Sequence, residues 1–159
     1  MRRTDYTIGY VIREYSTPEE IEQIMKSAPQ KLSLEEFYVL AQTYAPDSED
    51  HLNLWEVAVK MYTEDSIANI NAANVAMIKK DYEKAIQHLD KAGQEPVVKY
   101  LRGVVEVLRE DYKTARPDLE EAAANGVEEA QETLDNMIRH WTVIVDNDEI
   151  LKTYKENQK

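Results

Sequence analysis

The chain has 159 residues, 43% of them hydrophobic and 31% charged, a balance that suits one globular domain and argues against disorder. A formal net charge of −12 sets it against phosphate backbones and anionic membrane surfaces, so nucleic acid is not an expected partner. The lack of cysteine removes disulfides and thiolate metal sites, and four Gly and five Pro leave little turn material for an all-β fold.

In chain order, MRRTDYTIGYVIREYS has basic residues but no apolar h-region or small-residue cleavage site, so it does not read as a signal peptide. No apolar run approaches the ~18 residues a membrane span needs, and no direct membrane insertion is expected. The β-branched and aromatic run Tyr6 to Ile12 predicts a short strand. Thr17, Pro18 and Glu20 combine a cap, a first-turn proline and a capping-box acid, opening a helix to about Ser27. Ser33-Leu34-Glu35-Glu36 is a second capping box, for a helix to about Tyr44, and Ala45-Pro46-Asp47 breaks it. Asp47 or Ser48 caps a helix to about Tyr62. Further helices are predicted from Ser66 to Lys79, from an Asp81 cap to Ala92, from Pro96 to about Glu110, and from an Asp111 cap to about Asn125. Gly93 and Gly126 suit helix ends, and Pro117 falls inside a helix where it removes a hydrogen bond. An amphipathic helix over about Val127 to His140 closes the series. Trp141 to Val145 reads equally as a strand or as a continuation of that helix, and Asp146-Asn147-Asp148 as a turn or helix cap.

An internal repeat organises these helices. Asp81, Tyr82, Ala85, Leu89 and Ala92 recur 30 residues later as Asp111, Tyr112, Ala115, Leu119 and Ala122, and Trp55 and Ala58 precede Leu89 and Ala92 by 34. Small residues at fixed positions allow close helix approach, and Gly103 stands where the preceding repeat has Ala73. A helix–turn–helix period near 34 resembles the tetratricopeptide (TPR) pattern. The expected fold is all-α, a TPR-like array of helical hairpins over 17–140, with a strand or linker over 1–16 and a tail over 141–159.

The stretches TDYTIGYVIREYSTPEE and LSLEEFYVLAQTYAPDSEDHLNLWEVAVKMYTEDSIANINAANVAMIKKDYEKAIQHLDKAG resemble the C-terminal region of a family of OmpA-like cell-envelope proteins from Bacteroides-type bacteria. The resemblance runs from about Arg3 to Met137 and does not extend to the tail from Arg139. It implies a periplasmic or outer-membrane-associated helical domain of a larger protein, of which this chain is a fragment. The peptidoglycan-associating segment of that family is not among these residues.

In TPR proteins the first helix of each hairpin lines the concave face. That resemblance implies a partner-binding face of Ile67, Ile70, Asn71, Asn74, Met77, Tyr100 and Val104, with Ile78 and Leu108 beside them and Glu36, Leu40 and Thr43 in the first repeat. Its apolar character suits a peptide or protein partner; the alternatives are that the N-terminal strand or the tail covers the groove, or that some of these residues are core, since apolar stripes at helical spacing are more often buried. The Asn69, Asn71 and Asn74 cluster could serve an extended peptide or satisfy buried backbone groups. A carboxylate clamp is not expected, because only Asn71 matches one and Val97 and Leu101 stand where cations are needed. His51, His88 and His140 are far apart, so no metal is expected, and no phosphate loop or nucleophile motif points to a cofactor or to an enzyme. The expected function is a protein-interaction module; the alternative is a structural spacer between neighbouring envelope domains.

Overall fold

The structure is a computed structural model that describes Tyr15, residues 17–137 and residues 139–140. The strand expected at Tyr6 to Ile12, the run Trp141 to Val145 and the turn at Asp146 to Asp148 lie outside the described residues. Seven α-helices have defined bounds: α1 (Pro18–Ser27), α2 (Leu34–Ala41), α3 (Glu49–Met61), α4 (Ser66–Ile78), α5 (Tyr82–Ala92), α6 (Pro96–Leu108) and α7 (Tyr112–Ala124). A further helical segment, α8, covers 128–137. The described chain is all-α, and within each of its units consecutive helices pack against one another. It divides into two compact units, with the boundary in the chain between Met61 and Tyr62.

In the first unit, Thr17 Oγ1 accepts from the Glu20 amide at 3.3 Å and Pro18 occupies the first turn. The Ser33–Glu36 capping box is complete: the Glu36 amide donates to Ser33 Oγ at 3.3 Å, and the Ser33 amide to Glu36 Oε2 at 2.6 Å. Glu36 Oε1 also accepts from the Tyr15 amide at 3.0 Å, so one carboxylate ties the chain before α1 to the start of α2. The second helix ends at Ala41, short of the expected Tyr44, because Thr43 Oγ1 donates back to the Leu40 carbonyl at 2.7 Å and the chain tightens into turn bonds. The third helix is capped by Ser48, which accepts from the His51 amide at 3.2 Å, while Asp47 takes a left-handed φ of 67° in the turn before it. Ile21, Met25, Phe37, Leu40, Leu54 and Trp55 form the interior.

The second unit carries the repeat. The turn after α4 and the turn after α6 are the same structure. Lys80 and Glu110 sit at φ 59° and 63°, and Asp81 and Asp111 follow with φ/ψ of −91°/74° and −90°/71°. The Asp81 amide donates to the Ala76 carbonyl at 2.8 Å and the Asp111 amide to the Glu106 carbonyl at 2.9 Å, the long bond of a Schellman turn. This turn stops α6 at Leu108, two residues before the expected end. Each aspartate then caps the next helix, accepting from Lys84 and Thr114 amides at 3.2 Å. A third Schellman turn ends α7, with Gly126 at φ 90° in the left-handed position.

Alanines permit the close approach within each hairpin. Ala73, Ala76, Ala85, Leu89, Ala92, Val98 and Val105 make one interior cluster shared by α4, α5 and α6. Ala115, Leu119, Ala122, Ala130, Leu134 and Met137 make a second, between α7 and α8. Gly103 meets Leu119 so closely that a Cβ there would lie 2.7 Å from the Leu119 side chain, which explains the glycine at the position of Ala73. Pro117 lies exposed within α7, which continues through it to Ala124.

Candidate concave-face interface

In the second unit the two first helices, α4 and α6, both contribute to one interior cluster with α5. Their residues correspond at a 30-residue offset: Ile67 with Val97, Asn71 with Leu101, Asn74 with Val104, and Ile78 with Leu108. Spacings of four, three and four residues put each set on one side of its helix. The result is a ridge on each helix with no charged side chain in either.

Burial grades across this face. Ile67, Ile78, Val97 and Leu108 are exposed at 46%, 46%, 45% and 48% of their surface, the ends of each ridge. Asn71, Asn74, Leu101 and Val104 are half-buried in between. Ile70, Met77 and the ridge residue Leu101 are half-buried against the α4–α5–α6 cluster, and Tyr100 is half-buried against the α7–α8 cluster. The seven expected face residues therefore fall into two groups. Ile67, Asn71, Asn74 and Val104 belong to the ridges; Ile70, Met77 and Tyr100 lie at the junctions between helices, where much of their surface is packed.

The extension of this face to the first repeat does not hold in full. Leu40 is 1% exposed and belongs to the interior of the first unit, because Phe37 and Leu40, three apart, form the buried side of α2. Glu36 is committed to the capping box, and Val39 takes the exposed position instead. Val97, named from sequence only as a missing clamp cation, is a full ridge member. Its 30-residue correspondence with Ile67 was the available signal.

The asparagines divide their roles. Asn69 is completely buried; its amide group donates to the Thr63 and Asp65 carbonyls at 2.9 and 2.8 Å, and its Oδ1 faces His88 Nδ1 at 3.1 Å. Since the amide nitrogen is committed to carbonyls, Oδ1 must accept, and His88 Nδ1 carries the proton. Burial, then Lys84 and Lys91, push the His88 pKa down. Asn69 is thus the residue that satisfies buried backbone groups. Asn71 Nδ2 donates to the Ile67 carbonyl at 2.9 Å, back along its own helix.

The corresponding seam in the next hairpin is ionic. Lys99, in the place of Asn69, pairs with Glu121 across α6 and α7, while Arg102 reaches the other way, to Asp90 of α5, at 2.9 Å. Asp118, in the place of His88, has its pKa raised by burial, which outweighs Arg102 and Lys99. In this arrangement both cations of α6 with buried stems are drawn towards α5 and α7, leaving the ridge uncharged.

The remaining histidines are engaged elsewhere. His51 Nε2 accepts from Trp55 Nε1 at 3.3 Å, and the His140 ring meets Tyr112 edge-on with centroids 6.2 Å apart. Among the described residues no group of three or more His, Asp or Glu side chains is placed to hold a metal ion, and no helix is long and apolar enough to cross a membrane. Compared with protein-family models and with curated proteins, the chain matches none.

Proposed function

We propose that this chain is a protein-interaction module that docks a peptide or protein segment on the ridges of α4 and α6. By the resemblance of its sequence, we place it within a larger cell-envelope protein. One observation carries the docking reading. Ile67, Ile78, Val97 and Leu108 leave nearly half their surface in water, at matched positions of two successive hairpins. A single exposed aliphatic side chain means little, but exposed aliphatic positions repeated on two successive hairpins, in a chain of net charge −12, suit an interaction surface. The chemistry available there is apolar contact, supplemented by the polar Asn71 and Asn74 on one ridge only.

A direct test selects peptides from a displayed random library on the intact chain and maps them by amide chemical-shift changes. Shifts concentrated on residues 67–78 and 97–108 are the expected result. Selected peptides that perturb only α1–α3 or α8 would move the interface elsewhere.

A further inference from the structure

We infer that the occupant of these ridges is a basic amphipathic helix, with aliphatic anchors on Ile67, Ile78, Val97 and Leu108 and cationic side chains along the N-terminal ends of α4 and α6. The inference rests on the reading of this stripe as a docking face. The charge distribution points to it. From Tyr62 to Ile78 there is no Lys or Arg at all, and Glu64 and Asp65 precede α4 while Glu95 precedes α6. Glu64 and Glu95 are exposed; Asp65, partly exposed, caps α4 by accepting from the Ala68 amide at 2.9 Å. Lys99 and Arg102 are engaged with Glu121 and Asp90, away from the ridges. At the opposite end Lys79, Lys80 and Asp81, and Arg109, Glu110 and Asp111, carry both signs and largely cancel.

The face is therefore acidic along one rim, neutral in the middle and mixed along the other. Carboxylates on a partner would meet Glu64, Asp65 and Glu95 as well as the chain's overall charge of −12. A second copy of the chain is disfavoured for the same reason. The spacing favours a helix: eleven residues from Ile67 to Ile78 rise about 16 Å, the length a partner helix covers with anchors at i, i+4, i+7 and i+11. Val97 and Leu101 offer no cation for a chain terminus, so an internal segment suits the face better than a C-terminal carboxylate.

The test uses the full chain and two fluorescein-labelled helical peptides with Leu at those four positions, identical except that the flanking positions are all Lys or all Glu. Fluorescence anisotropy should give the Lys peptide at least about tenfold tighter binding at low salt, a gap that narrows as salt rises. Glu64→Gln with Glu95→Gln should shrink the gap. Ile67→Ser with Val97→Ser should weaken the Lys peptide while circular dichroism stays unchanged. Equal affinity for both peptides, lost in the Ile67→Ser/Val97→Ser variant, would overturn the preference for a basic partner and leave the docking face standing. Lys-peptide binding untouched by that variant would show adhesion to the acidic surface at large, and would sink the docking face as well. A dimer of the chain that falls apart in the same variant would assign the face to a second copy instead.

Discussion

The hairpins α4–α5 and α6–α7 share a backbone yet close their seams by different chemistry. Both turn through a left-handed residue, both cap the second helix with an aspartate, and both pack alanines between the helices. Across the seam, however, the first uses a buried Asn69–His88 hydrogen bond and Ser66 Oγ donating to the Ala92 carbonyl at 2.6 Å, while the second uses Lys99–Glu121; Arg102–Asp90 joins α6 to α5, between the two hairpins. The repeat is thus held by turn, cap and small-residue positions, and the polar seam is free to vary. The exposed apolar ends of the ridges are nevertheless kept in both hairpins, although neither seam depends on them.

The sharpest way to separate the hairpins is to delete the matched polar residue of each. Asn69→Ala strips two carbonyls and a histidine N–H of a buried partner and should cost about 2–4 kcal/mol. Lys99→Ala removes a pair whose glutamate is half-exposed, and should cost less than about 1 kcal/mol. Denaturant midpoints check both, and equal losses would mean the seams are equivalent after all.

Gly103→Ala comes next. Overpacking against Leu119 costs about 1–3 kcal/mol, partly offset by the ~1 kcal/mol that alanine gains over glycine in a helix. The net should be a destabilised α6–α7 hairpin, read as a lower midpoint. Ala73→Gly, the reciprocal change, leaves a small void in α4–α5 instead. A Gly103→Ala variant more stable than the parent would show that the two hairpins have the same interhelical clearance.

The smallest expected effect is in pH dependence, and it has opposite signs in the two hairpins. Folded His88 takes up its proton less readily than the unfolded chain, whose histidine titrates near 6.5. Between the folded value and 6.5 the unfolded state holds more protons, so this group makes stability rise with pH across that window. Asp118 is shifted up from 3.8, so above 3.8 the folded state holds more protons and its contribution falls as pH rises through the folded value. Midpoints measured against pH should lose the rise below 6.5 in His88→Asn and lose the fall above 3.8 in Asp118→Asn. A His88→Asn profile superimposable on the parent would contradict the burial of that imidazole.

Much of this architecture was legible in the sequence because it rests on short-range chemistry. Ser33 with Glu36, Asp81, Asp111 and Gly126 announce helix boundaries by side-chain type, and the alanine positions recur at a fixed interval. What was hidden depends on contacts or on backbone states that side chains do not advertise. Lys80 and Glu110 occupy left-handed positions usually given to glycine, and only the carbonyl bonds behind them reveal the turn. Asn69 and Asn71 look alike in sequence; which one is buried depends on the packing of α5. Leu40 was misplaced because one amphipathic turn of α2 does not say which side the first unit covers. Of the site, the apolar character of the α4 and α6 faces could be read in advance, but the division between exposed ridge ends and packed Ile70, Met77 and Tyr100 could not, since it depends on where the adjoining helix lies.

That division supplies the most direct test of the central claim, that the ridge ends serve binding and not folding. Ile78→Ser with Leu108→Ser removes two aliphatic side chains, exposed at 46% and 48%, from the ends opposite the acidic rim. The variant should keep its helical circular dichroism and its denaturant midpoint to within about 0.5 kcal/mol, as surface substitutions do, while its affinity for the Lys-flanked helical peptide falls at least about tenfold. A midpoint that drops by about 2 kcal/mol or more would make Ile78 and Leu108 part of the folded interior, and an unchanged midpoint with unchanged affinity would remove the ridges from the binding account.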